Sequence, residues 1–427
     1  MTAVLTAVGR WDSDLATALE ASKEVQIARR CADLADLLAT AGAGLGAAAV
    51  VSDDLRGLDL SAVAHLRTGG LHGVGLSDPG DEGSERRLRQ LGITTVVPAG
   101  SQLALLESAM LRPSAIPRSA TERNHGEWPD HLAQDEERAE ADDVPPDVGD
   151  EPRAPGRILA VWGPTGAPGR TTVAVNLATE LAALGVSSVL VDADTYGGSV
   201  AQTLSLLDEA PGLAAAVRAA EQGTLDLPAL ARLSPQVEGG MRVLTGIPKA
   251  ERWPEIRPAA LERVLGLARL LAQVVVVDCG FNLEDDEELS YDTLAPRRNA
   301  ATLTTLSLAD ELLAVGTCDP VGLQRLVRGL QEVGTVASPP PRVVVNRLRS
   351  SSVGSRPESR VSEALARFAG VERVDFVPDD PRALDTAARE GRALAECAPS
   401  SPARSALRSL AASVAGVPVG DRRRARR

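Results

Sequence analysis

The stretch VWGPTGAPGRTTVAVNLATELAALG, residues 161–185, decides the fold of the larger part of this chain. The residues ILAVWG (158–163) predict a buried strand that leads into a glycine-containing loop and then into a helix. Glycines let such a loop curl until successive backbone N–H groups point inward, and the helix N-terminus adds its dipole. Arg170 and Thr171 open the helix. This order predicts a phosphate-binding loop whose hydroxyl can ligate Mg²⁺.

The loop departs at two positions from the common pattern G-x-x-x-x-G-K-[ST]. Pro164 stands in the place of the first glycine, and Arg170 in the place of the lysine. Arginine keeps the charge but is bulkier and planar, so the exchange is not conservative at a tight phosphate site. On the loop alone, a plain strand–turn–helix junction of an α/β fold stays open as an alternative.

Two acidic strand ends favour the phosphate site. One predicted strand ends in Asp192 and Asp194, and another ends in Asp278. Carboxyl ends of parallel strands face such a site, where one carboxylate can hold Mg²⁺ and another can orient a hydrolytic water. Any one of these aspartates alone is more simply read as a helix cap. The three features in the right order favour a shared site.

Composition divides the chain into four segments. Residues 1–111 alternate predicted strands (3–8, 47–51, 73–76 and 93–97) with helical stretches, including 26–42, which indicates a small parallel α/β domain. Residues 112–156 are rich in proline, and twelve acidic residues face two arginines between Glu122 and Glu151. This segment predicts a disordered linker, or else an acidic docking segment for a basic partner.

The third segment, 157–417, predicts a larger α/β unit in which near-continuous apolar strands are covered on both faces by helices. The tail, 418–427, contains DRRRARR and predicts a weak contact with an anionic membrane surface. The preceding residues 403–417 have apolar positions three to four apart, which favours a last packed helix over an anchor. The predicted strands are 158–163, 187–194, 241–246, 274–280, 312–317, 342–347 and 374–378.

Charge and composition exclude several classes of protein. The formal charge is −13, but the acidic segment supplies most of it, so the folded parts are near neutral. With 2% aromatic residues, this balance argues against specific nucleic-acid binding. Four scattered cysteines without C-x-x-C spacing argue against a disulfide framework or a zinc site. No apolar run reaches the roughly 18–20 residues of a membrane span and no secretory signal is recognised, so we expect a cytoplasmic protein.

Residues 161–194 resemble the opening of the MinD/ParA family of P-loop ATPases with a deviant Walker A loop, including Asn176-Leu177-Ala178. The resemblance covers about 157–417. It implies a P-loop NTPase domain with a mostly parallel twisted sheet flanked by helices. An N-terminal receiver-like (flavodoxin-like) domain followed by a linker is typical of the CpaE/TadZ branch, the pilus-localisation proteins. Septum-site-determining proteins of actinobacteria are similar.

The family resemblance also implies ATP and Mg²⁺ as ligands, with roles for particular residues. Asp194 and Arg170 would be catalytic, and Thr171, Asp192 and Asp278 would hold the metal. The segment VPDDPRALDTAAREGRAL (377–394) resembles the part of the family that approaches the base. The nucleotide-binding residues would be Gly166, Ala167, Pro168, Gly169, Arg170, Thr171, Thr172, Asn346, Arg347, Pro378 and Asp379.

Both family lysines of the loop are replaced, by Thr165 and by Arg170. In the family the first of them reaches across a nucleotide-sandwich dimer to the partner's phosphates, which Thr165 is too short to do. Two functions stay open. One is a slow ATPase that positions a pilus assembly or a septum through nucleotide-dependent homodimerisation. The other is a hydrolysis-deficient scaffold that acts through protein–protein contacts. A ParA-like role in DNA segregation is third.

The N-terminal domain also departs from a working receiver. Gly9-Arg10-Trp11 follows the first strand where a receiver has paired acids, and the segment ITTVVPAG offers no lysine. Asp53 and Asp54 do follow the predicted strand 47–51. We therefore expect residues 1–111 to be an unphosphorylated interaction domain for partners of a pilus or division apparatus.

Overall fold

A computed structural model describes residues 1–111, 154–206, 212–237, 239–285 and 295–417. The chain divides into two compact units, Met1–Ala154 with Glu221–Thr224, and Pro155–Ala220 with Leu225–Arg427. The predictions for the acidic segment up to residue 153 and for the basic tail 418–427 lie outside the described residues. None of the helices in the described ranges combines the length and apolar character that a bilayer-spanning helix requires.

The N-terminal unit contains a parallel five-stranded sheet in the order β2-β1-β3-β4-β5, which is the order of flavodoxin-like sheets. Alternate strand residues face opposite sides, so Val50 packs in one apolar cluster and Val51 in another. The strands are β1 (Thr2–Ala7), β2 (Val25–Arg30), β3 (Ala48–Ser52), β4 (His72–Ser77) and β5 (Thr95–Pro98). The helices are α1 (Asp12–Glu20), α2 (Leu34–Gly42), α3 (Leu60–Thr68), α4 (Glu82–Gln90) and α5 (Leu103–Leu111).

Strand β2 corrects one prediction. Residues 26–42 have helical spacing, but the structure forms an edge strand parallel to β1 over Val25–Arg30 and begins α2 only at Leu34. Only Val25 of this strand is buried. An edge strand with exposed polar residues lacks the apolar run by which buried strands are read. The helix starts where Asp33 accepts a hydrogen bond from the Asp36 N–H at 2.9 Å.

The C-terminal unit contains a seven-stranded sheet in the order β12-β11-β10-β6-β9-β7-β8, with every neighbouring pair parallel. The predicted α/β fold, with parallel sheets flanked by helices, is thereby confirmed. The strands are β6 (Arg157–Trp162), β7 (Ser188–Ala193), β8 (Arg242–Leu244), β9 (Val274–Cys279), β10 (Glu311–Thr317), β11 (Pro341–Leu348) and β12 (Val374–Pro378).

Helices connect these strands and cover both faces of the sheet. They are α6 (Arg170–Ala183), α7 (Val200–Thr203), α8 (Gly212–Glu221), α9 (Leu227–Leu233), α10 (Pro258–Leu271), α11 (Ala300–Leu308), α12 (Pro320–Val333), α13 (Ser350–Val353), α14 (Pro357–Ala369), α15 (Pro381–Glu390), α16 (Leu394–Cys397) and α17 (Pro402–Ala415).

Helix α6 is buried along most of its length and carries one buried charge. Glu180 is 1% exposed, and its carboxylate accepts hydrogen bonds from Arg404 at 2.6 Å and Arg408 at 3.0 Å. Both arginines belong to α17, whose apolar side shares a hydrophobic cluster with α6. The last helix therefore holds the helix that follows the glycine loop through one carboxylate and an apolar contact.

Replacing Glu180 tests this connection. Glu180→Ala leaves two guanidinium groups facing a buried apolar contact, and we expect a loss of about 3 kcal/mol in unfolding free energy. Urea unfolding followed by circular dichroism measures the change. The matched control is Glu332→Ala, which removes an exposed carboxylate from α12 and should change stability by less than about 0.5 kcal/mol. Equal stability of the two variants would contradict the structural role of the Glu180 pair.

Candidate functional site

The loop between β6 and α6 curls through left-handed backbone. Gly166 has a φ of 108°, Ala167 of 52° and Gly169 of 96°. Glycine adopts this region freely, whereas an alanine there costs about 1–2 kcal/mol. A Cβ at Gly163 would overlap the Val315 carbonyl, so the loop also begins in close contact with β10. Both the curl and the close approach depend on glycine.

The N-terminus of α6 lacks a side-chain cap. The first bond within the helix runs from the Val173 N–H to the Gly169 carbonyl at 2.9 Å, so the N–H groups of residues 170–172 have no intrahelical acceptor. Gly169 has no side chain to cap them. Free N–H groups and the helix dipole suit a bound anion. Among the described residues, six other helices are capped by a carboxylate, that of Asp33, Asp59, Asp81, Asp226, Asp319 or Asp380.

Two buried carboxylates lie beside this helix end. Strands β7 and β9 pair with Asp192 opposite Asp278, and these residues are 2% and 0% exposed. Burial raises the pKa of Asp192 to about 7, and the nearby Asp194 charge adds to the shift. Burial, and then the charge of Asp192, raise the pKa of Asp278 well above its usual range. Without a cation, the protein disfavours ionising both groups.

The oxygens around Thr171 suit a magnesium ion. The Thr171 hydroxyl donates to Oδ2 of Asp278 at 2.5 Å, while Oδ1 of Asp278 is buried without a hydrogen-bond partner. Asp192 is more engaged, since its two oxygens accept from the N–H groups of Asp194 and Val200. Within the described ranges, no three His, Cys, Asp or Glu side chains form a metal site by themselves. A cation here would therefore need phosphate and water oxygens as further ligands.

Arg170 is bound to the predicted catalytic carboxylate. Its Nη2 lies 3.1 Å from Oδ2 of Asp194, and its Nη1 donates to the Gly163 carbonyl at 2.9 Å. The two side chains are 12% and 5% exposed. The other oxygen of Asp194 accepts from the N–H groups of Tyr196 and Gly197 at 2.9 and 3.1 Å. One ion pair thus joins the loop to the segment after β7.

Asn346 braces the loop in this structure. Its amide donates to the Pro168 carbonyl at 2.9 Å, and its oxygen accepts from the Arg347 N–H at 2.8 Å. A Cβ at Gly169 would overlap the Asn346 amide, so these two residues are in close contact. The family resemblance assigns Asn346 to adenine, but here both ends of its amide are engaged with backbone.

The other predicted base contacts lie at the ends of β11 and β12. Pro378 pairs with Leu348 across the two strands, and the Asp379 N–H donates to the Leu348 carbonyl at 3.0 Å. Oδ2 of Asp379 lies 3.4 Å from the Arg349 guanidinium. Thr172 accepts a hydrogen bond from Asn176 through its backbone carbonyl. These contacts place Pro378 and Asp379 beside β11 and place Thr172 in the first turn of α6.

A cleft of about 180 Å³ lies on the β10 side of the loop. Thr165, Gly166 and Pro168 form one wall, and Arg325 of α12 and Arg347 of β11 contribute to the others. Arg325 was not predicted from the sequence. It carries no motif, and its place depends on β10 pairing with β6, which the sequence does not reveal.

A cation–aromatic group beside Asp194 was also missed. The Arg298 guanidinium stacks 3.7 Å from the Tyr196 ring centroid and 5.3 Å from that of Trp253. It also donates to the hydroxyl and carbonyl of Thr195. The Tyr196 hydroxyl donates to Asn299 at 2.6 Å. These contacts fix the segment after Asp194. The scarcity of aromatic residues was the available signal, because three of them, Tyr196, Trp253 and Phe281, converge here.

Comparisons with known proteins agree with this geometry. No protein-family model matches the chain. An uncharacterized ATP-binding protein of Methanocaldococcus jannaschii is 24% identical over 258 residues, which cover 60% of this chain and 87% of that protein. The chromosome partitioning protein ParA of Caulobacter vibrioides is 30% identical over 194 residues, which cover 42% of this chain and 64% of ParA.

A solved structure shows the same fold. The ParA family ATPase from Chlorobium tepidum is 18% identical and superposes with a TM-score of 0.50, covering 60% of this chain and 98% of its own. At this identity the likeness speaks for the fold alone. Together with the glycine loop and the strand-end aspartates, it shows that the C-terminal unit has the fold of the MinD/ParA-family P-loop ATPases.

Proposed function

We propose that the C-terminal unit binds ATP with Mg²⁺, hydrolyses it slowly and thereby controls the pairing of two copies of this chain. The pairing would position cell machinery, either a Flp/Tad-type pilus assembly or the septum. The observation that carries the proposal is the uncapped start of α6 beside the Thr171–Asp278 pair. The names of the relatives, an ATP-binding protein and a chromosome partitioning protein, support it.

The residues of the site define a division of roles. The N–H groups that begin α6 would hold phosphate oxygens, while Thr171 and Asp278 would hold Mg²⁺, which neutralises charge on the phosphates. Arg170 would exchange Asp194 for phosphate. That exchange would free one carboxylate oxygen of Asp194 to orient a water molecule for attack. The ion pair seen here would then be the resting arrangement of the site.

The same ion pair favours the alternative function, a hydrolysis-deficient scaffold. Arg170 is already neutralised by Asp194, and Thr165 is uncharged, so the loop itself offers a phosphate no free side-chain cation. In that case the fold would serve protein–protein contacts alone. A role in DNA segregation rests only on the name of the Caulobacter relative and on scattered arginines. The Arg tail and a cytoplasmic location stay predictions from the sequence.

We propose that residues 1–111 are a receiver-like interaction domain that is not phosphorylated. Arg10 lies among the acids at the carboxyl end of the sheet, 2.7 Å from Asp78, 3.5 Å from Asp54 and 3.8 Å from Asp53. A cation of the chain thus occupies the acidic cluster in which a receiver binds its metal. The domain's partners would belong to a pilus or division apparatus.

Nucleotide binding and hydrolysis are measured separately. We expect isothermal titration of the full chain to detect binding of Mg-ATP. Thr171→Val should lower the affinity for Mg-ATP about 10-fold, because a metal ligand is lost. Asp194→Ala should keep binding, because it frees Arg170, but should lower phosphate release about 100-fold. The control is Glu262→Ala, an exposed acid on α10.

The outcomes separate the two functions. If the wild type binds Mg-ATP but releases phosphate no faster than Asp194→Ala, the ATPase is contradicted, and the remaining function is a scaffold that binds a nucleotide without hydrolysing it. No heat of binding up to millimolar Mg-ATP would remove the nucleotide proposal altogether. Light scattering of Asp194→Ala with and without Mg-ATP then tests whether the nucleotide controls pairing.

The buried Asp278 carboxyl predicts a pH dependence of stability. Because its pKa is raised in the folded state, its contribution is complete below the unfolded pKa of about 3.9 and is lost as pH rises through the folded value. Asp278→Asn removes this loss. Its melting temperature should exceed that of the wild type increasingly from pH 5 to pH 8, reaching about 2–4 °C. If the difference in melting temperature between the two proteins does not change from pH 5 to pH 8, the burial of an ionising group here is contradicted.

The receiver-like domain is tested by phosphorylation chemistry. Because Arg10 already neutralises the acidic cluster, we expect incubation with acetyl phosphate and Mg²⁺ to leave the intact mass unchanged. Mass spectrometry measures it, with Asp53→Asn as the control. A phosphoryl adduct that appears on the wild type and disappears in this variant would show a working phosphoacceptor.

A further inference from the structure

The cleft beside the glycine loop contains two arginines without a partner. In the described residues, neither the Arg325 nor the Arg347 guanidinium makes a hydrogen bond or an ion pair. Arg325 lies against the loop itself, because a Cβ at Gly166 would overlap its guanidinium. Gly166 has a φ of 108°, so the loop at this contact already needs glycine. A charged group thus rests on the backbone of the loop with no counterion.

The acid that borders the same cleft is engaged elsewhere. Asp319 borders the same cleft, but one of its oxygens accepts from the Thr317 hydroxyl at 2.7 Å and the other from the Gly322 N–H at 3.0 Å. It caps α12 and forms no ion pair with Arg325. The cleft therefore carries an excess of positive charge that its lining residues do not neutralise.

The charges around the loop are arranged in two halves. On the β7 and β9 side lie Asp192, Asp194 and Asp278. Arg170 is paired there with Asp194, and Arg298 is engaged with Thr195 and the Tyr196 ring. On the β10 side lie Arg325 and Arg347. A polyphosphate in the loop would meet carboxylates on the first side, where it needs a metal ion, and guanidinium groups on the second.

We propose that Arg325 is a second phosphate-binding cation of this site, supplied by the same chain from helix α12. It would give the loop the charge that Thr165 lacks, and its planar fork suits the oxygens of a polyphosphate. The ligand class is the polyphosphate of a nucleoside triphosphate, so the inference rests on the proposed function.

Arg325 is not needed to hold its helix. Leu326 is fully buried and packs against Gly316 of β10, and Gly329 lies against Trp162. These neighbours attach α12 to the sheet, whereas the Arg325 side chain is exposed at the cleft. Its removal should therefore leave the fold intact, and the melting temperature of each variant checks this.

The test titrates the full chain with Mg-ATP and, separately, with inorganic tripolyphosphate. Arg325→Ala should weaken both ligands about 10- to 100-fold, as expected for a lost charge-assisted hydrogen bond. The matched control Arg328→Ala, an exposed arginine on the same helix, should leave both affinities unchanged. Arg325→Lys, and Thr165→Lys combined with Arg325→Ala, should each recover part of the loss, which a merely structural role would not allow.

Each result decides between the two claims. If Mg-ATP binds and Arg325→Ala behaves like Arg328→Ala, the role of Arg325 is overturned and nucleotide binding stands. If tripolyphosphate binds through Arg325 but Mg-ATP does not bind, the anion site stands and the nucleotide function is overturned. If neither ligand binds the wild type, both are overturned.

Discussion

The in-register pairing of β7 with β9 is the constraint on which the site depends. It sets Asp192 directly opposite Asp278, with both carboxyls buried. Strand β6 pairs with the other side of β9, with Val161 opposite Asp278, and so delivers Thr171 to the same point. A slip of one residue would turn a carboxyl to the opposite face of the sheet. The fold keeps two acids where burial opposes their charge, so the pair is favourable in its ionised form only when a cation joins it.

Arginine takes the place of lysine at nearly all basic positions of this chain, which contains only two lysines. This preference changes the contacts that the basic side chains make at its sites. A lysine is a compact point charge, whereas a guanidinium has several donors in a fixed plane. Arg170 uses this geometry to hold the Gly163 carbonyl and Asp194 together. Because Asp194 also accepts two backbone N–H groups of the following segment, the loop and that segment become one connected unit. Arg10 bridges acids in the N-terminal unit in the same manner.

The sequence predicted what local patterns encode. The seven strands of the larger sheet are near-continuous apolar runs, and the glycine loop and the three aspartates follow them in chain order. Strand β2 was missed because an edge strand shows little apolar signal. Arg325 was missed because its neighbourhood depends on strand order. That Asn346 braces the loop follows from a contact between residues 178 positions apart, which no local pattern contains.

The Arg170–Asp194 pair also bears on which form of a nucleotide the site would accept in the proposed function. A phosphate that takes Arg170 leaves Asp194 without its counterion, next to two further buried carboxyls. A free nucleotide would add negative charge there, and its repulsion from the carboxylates would not be offset. A magnesium nucleotide would bring two positive charges that reduce this repulsion. The arrangement of acids would therefore favour the metal complex over the free nucleotide. Arg325 and Arg347, whose guanidinium groups have no partner among the described residues, lie on the other side of the loop and would not offset this cost. In the proposed function, metal dependence and anion affinity would therefore be set by separate halves of the site.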